Sequence, residues 1–392
     1  MSASPHAPAT AGSAGPRPRS TLCASPCPNR TWRAAGTRRR LPERRAIFAI
    51  PGDLDTPTGG YAYDRRMMDE LRRLGWDISH VALSGAFPLP DASTLTATYR
   101  VLAQLPASMP VIVDGLALGA LPDIGRHLVA RRPLVALVHH PLALETGITA
   151  ARADALRTSE RAALAAASRV IATSRATAVV LTAEYGVPQA RITVAPPGTD
   201  AAPLAAVDHA GAPNLLSVGT LVPRKGHDLL IAALATLQDL PWRLTIVGAA
   251  DRDPPTTAAL RRLIAQAGLD ERIRLADAVP AEALQQHYLA ADLFVLASRY
   301  EGYGMAYAEA IAHGLPVIGT MAGAIPEAVP EGAALLVPPE DVPALAAALR
   351  RLLSDAAARR GLARAARQAA PRLPRWQDSA ALFASALVAA PA

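Results

Sequence analysis

The sequence predicts an α/β protein of two doubly wound, Rossmann-like parallel-sheet domains facing each other across a cleft. Three observations predict it. The chain has 392 residues, and at roughly 100–200 residues per domain that length suggests two domains. The apolar fraction is 51% against 19% charged, enough to bury a core and too apolar for a disordered chain. Short apolar runs alternate with segments of helical spacing, in two series separated by a weakly patterned Ala/Pro-rich linker at 201–213. Strands alternating with helices of about ten residues imply βαβ units and parallel sheets.

The elements follow in order. Residues 46–50 are an apolar run ended by Pro51-Gly52, a buried first strand. After the Gly59-Gly60 loop, Met67, Met68, Leu71 and Leu74 recur at helical spacing until Gly75 stops the helix. Segments 78–83, 111–113 and 134–138 read as strands, 160–167 as helix, 170–172 as strand, 177–185 as helix and 192–195 as strand; Pro196-Pro197-Gly198 breaks the pattern. The second series places strands at 215–218, 244–247, 273–275, 293–296, 317–318 and 335–337, and helices at 227–237, 256–267, 282–291, 305–312, 342–353 and much of 356–390. The expected division is a disordered Arg/Pro-rich leader (1–45), a first domain (46–205), a second (206–375) and a C-terminal helix (376–392) packing back on the first. Ligands of such sheets bind beyond the carboxyl ends of the strands, so the site is expected in the cleft.

The formal charge of +7 invites a nucleic-acid or membrane reading. Residues 1–45, however, hold nine arginines and one acid, Glu43, a net of +8, which leaves −1 on the remaining 347 residues. The body is near neutral and poor in aromatics, which argues against nucleic-acid binding. Nucleic-acid binding through the leader is the non-enzyme alternative, tested by removing the residues before 44. Cys23 and Cys27 both lie in the leader, so the body has no disulfide, thiol catalysis or cysteine metal site. The leader resembles a transit peptide in composition; a disordered leader or a start assigned too far upstream fits equally well. It has no apolar core of a secretory signal, and the chain has no run of ~18 apolar residues. A cytoplasmic protein is expected, with peripheral membrane contact as the alternative; Arg65, Arg66, Arg72, Arg73, Arg126, Arg131 and Arg132 are the candidate basic face for it, and Asp64, Asp69 and Glu70 favour a mixed, solvated face instead.

Chemistry concentrates in two stretches. Glu301 and Glu309 sit eight apart across a strand–loop–helix junction; Gly302 and Gly304 let backbone approach a ligand, and the helix start beyond them favours an anion or a sugar hydroxyl. The bland alternative is a loop acid and a solvated helix acid. Val218-Gly219-Thr220 leads through a loop to Arg224-Lys225-Gly226, two adjacent cations at a helix start, suited to a diphosphate leaving group. Lys225 is the only lysine among 40 basic residues.

Together these motifs resemble the retaining glycosyltransferase family 4, with its GT-B fold. The E-x7-E element falls at Glu301 and Glu309 and the Lys-Gly element at Lys225-Gly226. Gly59-Gly60, Val138-His139-His140, Thr173-Ser174-Arg175-Ala176-Thr177 and Pro196-Pro197-Gly198-Thr199-Asp200 match in the first half, so the likeness covers about residues 46–370. The resemblance implies a hexosyltransferase using a nucleotide sugar, UDP- or GDP- rather than ADP-linked. Lys225 would hold the diphosphate, Glu309 the ribose, and Glu301 would face the donor sugar. Backbone amides of Gly302, Tyr303, Gly304 and Met305 would contact sugar or phosphate, Gly59 and Gly60 would close over the diphosphate, and His139 (with His140 as competitor) would lie beside sugar and acceptor. The family usually has Arg after the strand-end glycine, where this chain has Thr220; Arg224 is expected to supply that guanidinium. The acceptor would be a sugar, lipid or small molecule.

With no evident nucleophile, retention suits a front-face transfer; a positioned carboxylate would instead form a glycosyl-enzyme. The triplets Asp53-Leu54-Asp55 and Asp251-Arg252-Asp253 read as turn acids, so no metal is expected. An epimerase or hydrolase-like enzyme of the same fold, or a scaffold with a dead site, are the remaining alternatives.

Overall fold

The computed structural model describes residues 44–107, 109–128, 133–207, 209 and 211–390. Residues 1–43, with Cys23 and Cys27, and the arginines at 131 and 132 lie outside the described residues.

The first half carries β1 (Arg45–Pro51), β2 (Asp77–Leu83), β3 (Val111–Asp114), β4 (Leu134–Val138), β5 (Arg169–Ala172) and β6 (Ile192–Val194). Around them lie α1 (Gly59–Arg73), α2 (Ala92–Gln104), α3 (Gly115–Leu118), α4 (Ile124–Leu128), α5 (Ala150–Ala166) and α6 (Arg175–Tyr185). The second half carries β7 (Asn214–Val218), β8 (Arg243–Val247), β9 (Ile273–Ala276), β10 (Leu293–Val295), β11 (Val317–Thr320) and β12 (Ala334–Val337). Its helices are α7 (His227–Ala235), α8 (Pro254–Gln266), α9 (Ala281–Leu289), α10 (Met305–Ala312), α11 (Ile325–Ala328), α12 (Val342–Ser354), α13 (Ala356–Ala369) and α14 (Trp376–Val388). Every strand pairing is parallel, with orders β2-β1-β3-β4-β5-β6 and β12-β11-β10-β7-β8-β9. The central strands are buried on both faces, as a sheet covered by helices requires.

Strand order reverses between β1 and β3 in the first sheet and between β7 and β10 in the second. A crevice opens at the carboxyl ends of such strands. These four ends carry the loop at 52–58 that leads into Gly59 and Gly60 at the start of α1, Asp114, the loop at 219–225 and the loop at 298–301.

Three differences from the sequence reading are local. β1 begins at Arg45, inside the segment expected to be leader, because the Arg45 guanidinium pairs with Asp77 of β2 at 3.2 Å. α2 was not foreseen, although Leu95, Tyr99 and Leu102 recur at helical spacing and pack on the first core and Asp91 caps Thr94 N–H at 2.7 Å. α5 starts ten residues earlier than the apolar spacing suggests, at a Thr149 cap, since its first three turns bury mainly Leu156. At the other end α14 returns to the first sheet. Phe383 stacks on Phe48 of β1 with centroids 5.8 Å apart, and Trp376 lies 5.8 Å from Tyr63 of α1.

Candidate active site

In the second sheet the switch point gathers both cations and the first glutamate. Lys225 Nζ lies 2.7 Å from Glu301 Oε1, and Arg224 Nη1 lies 3.3 Å from Glu301 Oε2. Ser298 Oγ donates to the same Oε1 at 2.7 Å. Lys225 follows a short 3-10 turn (Pro223–Lys225) and precedes Gly226, whose φ of +64° and whose distance to Ala297 exclude a side chain: a Cβ there would stand 1.9 Å from the Ala297 carbonyl oxygen. Burial alone would raise the Glu301 pKa; Lys225 and Arg224 outweigh it and bring it to about 2. Burial pushes Lys225 down, partly offset by Glu301. Both oxygens of Glu301 are thus engaged by protein, and it stands as counter-ion to the two cations.

Arg224 also reaches across to the first half. Its Nε lies 3.1 Å from Glu145 Oε1 and its Nη1 donates to the Tyr300 carbonyl at 3.0 Å. Glu145 in turn meets His140 Nε2 at 3.3 Å. His140 and Arg224 offset the burial of Glu145 and bring its pKa to about 2. The guanidinium expected to replace the one missing at Thr220 therefore lies beside Lys225, held by two carboxylates. Where the halves touch, a Cβ on Gly302 would stand 2.0 Å from the His139 carbonyl oxygen, so that glycine is required by close approach of the two halves.

Glu309 sits one turn into α10, half-buried, and accepts from Tyr288 Oη at 2.8 Å through Oε2. Burial raises its pKa, which the Tyr288 bond and Lys225 oppose. Gly304, with φ +106°, begins α10. A Cβ on Gly59 would stand 3.8 Å from the sulfur of Met305, the first residue of α10, and one on Gly60 would stand 3.6 Å from the His139 ring. Gly59 and Gly60, expected in a loop, are instead the first residues of α1 behind the Thr58 cap, and they lie between the halves. The Tyr303 side chain is 6% exposed in the second core, with no hydrogen-bond partner for its hydroxyl among the described residues, so only its backbone is placed to meet a ligand.

In the first sheet His139 follows β4. Its Nε2 lies 3.1 Å from Asp64 Oδ1 of α1 and 3.1 Å from Asp114 Oδ2 at the end of β3. Burial disfavours the charged ring, but the two buried carboxylates prevail and raise its pKa to about 10. Burial raises Asp64 to about 6 against the pull of His139, and its Oδ2 has no partner among the described residues. Sequence reasoning missed Asp64, Asp114, Glu145 and Tyr288, which act through neighbours far away in the chain. It also saw no ligand cluster for a metal, whereas among the described residues the fold assembles one group able to hold an ion, Asp64, Asp114 and His139, with ligand atoms within 4.8 Å of one another. Here the imidazole N–H bonded to both carboxylates accounts for that geometry. The two D-x-D triplets serve turns: Asp53 Oδ1 accepts from Asp55 N–H at 2.9 Å, and Asp253 caps α8 through Thr256 N–H at 3.0 Å.

The arginines of α1 are largely paired. Arg66 meets Glu70 (2.9 Å) and Asp200 (2.8 Å), Arg72 meets Asp69 (3.0 Å), Arg73 meets Glu70, and Arg65 donates to the Leu54 carbonyl. The face is mixed in charge. Among the described residues no helix is long and apolar enough to cross a membrane.

Two doubly wound parallel sheets with switch points at their carboxyl ends form the GT-B fold. The fold comparison agrees: sucrose-phosphate synthase from Thermosynechococcus elongatus superposes with a TM-score of 0.72 over 87% of this chain and 98% of that one, at 24% identity. Residues 65–202 match the family described as Glycosyltransferase Family 4, and residues 212–355 match Glycosyl transferases group 1. Two glycosyltransferase family models thus match successive halves of the chain. A D-inositol 3-phosphate glycosyltransferase of Kineococcus radiotolerans is 34% identical over 277 residues, 62% of this chain and 64% of that protein. An MMP alpha-(1->4)-mannosyltransferase of Mycolicibacterium hassiacum is 29% identical over 315 residues, 76% of this chain and 74% of that protein. The match therefore spans just under two thirds of the first relative's length.

Proposed function

We propose that the protein is a retaining hexosyltransferase that moves a hexose from a nucleoside-diphosphate sugar to an acceptor hydroxyl. The observation that carries this reading is the Lys225–Glu301 pair at the β7/β10 switch point, with Arg224 beside it and Glu309 on the helix that follows. Lys225 and Arg224 offer fixed positive charge where a diphosphate leaves, and preorganised charge of that kind is worth most in a water-poor site. Glu309 would take the ribose hydroxyls, and the N–H groups of residues 302–305 the sugar or phosphate. Gly59 and Gly60 leave room for backbone to close over the donor.

In this mechanism the bond from the anomeric carbon to the phosphate oxygen breaks as the acceptor hydroxyl adds to the same face. The hydroxyl proton passes to the departing phosphate. His139, paired with Asp64 and Asp114, is protonated at neutral pH and serves as a hydrogen-bond donor or cation rather than as the base. The donor base is assigned as uracil or guanine in preference to adenine, by family resemblance. The printed names of the two relatives, one acting on D-inositol 3-phosphate and one a mannosyltransferase, support a hexose donor and a polyhydroxylated acceptor, in solution or at a membrane surface. Charge neutralisation by Lys225 and Arg224 supports transfer without a metal ion.

The test is a panel of UDP-, GDP- and ADP-sugars followed by proton NMR with and without sugar, inositol and lipid acceptors. The expected result is slow hydrolysis of a UDP- or GDP-hexose, faster turnover with an acceptor, and an anomer unchanged from the donor. An inverted anomer would refute retention. No turnover or thermal stabilisation with any nucleotide sugar would refute the assignment.

A further inference from the structure

Glu309 has an asymmetric setting. Its Oε2 accepts the Tyr288 hydroxyl at 2.8 Å, whereas its Oε1 takes no hydrogen bond among the described residues. Tyr288, on α9, is 2% exposed and cannot turn away. Its ring stacks on His313 (centroids 4.8 Å apart, planes at 13°) and on Phe294 (6.1 Å, 25°). His313 is itself fixed by its Nδ1, 2.8 Å from the Pro203 carbonyl oxygen. The hydroxyl lies 3.4 Å from the Ala306 carbonyl as well, a weaker alternative to the carboxylate.

We propose that Tyr288 is a positioning residue of the donor site: its hydroxyl fixes one oxygen of Glu309 so that the other is presented to the ribose of the nucleotide sugar. The inference rests on the reading of Glu309 as the ribose ligand. A glutamate side chain has three rotatable bonds and loses rotamer freedom when a ligand immobilises it. Tyr288 meets that entropic cost before the ligand arrives. A phenol aimed from a rigid aromatic stack also fixes the plane of the carboxylate, which decides whether its remaining lone pairs meet vicinal hydroxyls. Its partner groups come from α9, β10 and the end of α10, so no local motif around Glu309 announces it.

The experiment compares UDP and GDP with their 2′,3′-dideoxy counterparts by isothermal titration, on wild type, Tyr288→Phe and Glu309→Gln. Wild type is expected to prefer the ribose form and Glu309→Gln to lose that preference. Tyr288→Phe keeps the ring and its stacking. It is expected to bind the dideoxy nucleotide as wild type does while its preference for ribose falls about tenfold, the low end for a hydrogen bond to a charged group. The dideoxy affinity is the internal control on folding. Full ribose preference in Tyr288→Phe, or equal loss for both nucleotides, overturns the positioning role while leaving Glu309 as ribose ligand. Retained preference in Glu309→Gln overturns the reading of Glu309 itself, and the positioning role with it.

Discussion

The two switch points solve opposite electrostatic problems. In the first half one imidazole serves two buried carboxylates, Asp64 and Asp114. In the second half one buried carboxylate, Glu301, serves two cations, Lys225 and Arg224. The first cluster sets one imidazole against two carboxylates; the second, counted with Glu145, sets two cations against two carboxylates. Only the second suits a diphosphate. Glu145 moderates it from across the cleft, through Arg224. On the proposed function, the cations Lys225 and Arg224 assign the diphosphate of the nucleotide sugar to the second half.

Removing the shared partner should break each cluster most severely. Glu301→Gln leaves Lys225 and Arg224 buried without their common counter-ion. His139→Ala leaves Asp64 and Asp114 facing each other. Each should lower stability by about 3–5 kcal/mol, the usual result of stranding a buried charge, read by urea denaturation at pH 7. The comparison sharpens at lower pH. His139→Ala should regain part of its loss near pH 5 as one carboxylate takes a proton, and Glu301→Gln should regain none. Equal behaviour of the two variants at both pH values would contradict the assignment of charges.

The wild-type pH profile carries the same contrast. His139 titrates at about 10 when folded against an ordinary value near 6.5, so its contribution to stability is complete below 6.5 and lost as pH rises towards 10. Asp64, raised to about 6, acts in the same direction between about 4 and 6. Glu301 and Glu145, lowered to about 2, contribute above about 4.3 and lose that contribution as pH falls to 2. Hydrogen exchange followed by mass spectrometry should show peptides around β3–β4 loosening first in alkali and the Lys225 and Glu301 loops loosening first in acid. The reverse order would contradict the account.

A smaller effect is expected at a second bridge between the halves. The Glu327 carboxylate of α11 accepts the N–H groups of Arg175 and Ala176 at 2.8 and 2.5 Å, at the start of α6. Glu327→Ala should cost about 1 kcal/mol, as loss of a helix cap does, and raise exchange at the start of α6 with the clusters intact. Smallest of all, exhaustive chelation should leave nucleotide-sugar turnover unchanged. Activity lost to chelation and restored by one divalent ion would move attention to Asp64, Asp114 and His139 as its ligands.

The same contrast explains what the sequence could show. Arg224, Lys225, Glu301 and Glu309 were legible because each lies in a strand–loop–helix segment with a local pattern, even though Lys225 and Glu301 are 76 residues apart. His139 was legible as a strand-end residue. Asp64 and Asp114 were not, since they come from α1 and the end of β3 and meet only when β1, β3 and β4 lie side by side. Tyr288 reads as an ordinary apolar position of α9. The sheets were legible because buried parallel strands are nearly continuous apolar runs. The first turns of α5 were not, because their alanines and polar residues give little apolar period, whereas α2 was missed although Leu95, Tyr99 and Leu102 carry one.

The central claim is that the second-half cluster grips the diphosphate. Calorimetric titration of UDP and GDP into wild type, Lys225→Ala and the turn variant Asp251→Asn tests it directly. The account predicts that one of the two nucleotides binds wild type and Asp251→Asn alike, and binds Lys225→Ala at least ~100-fold more weakly, the scale of losing one preorganised charged donor. Undiminished binding to Lys225→Ala would contradict it.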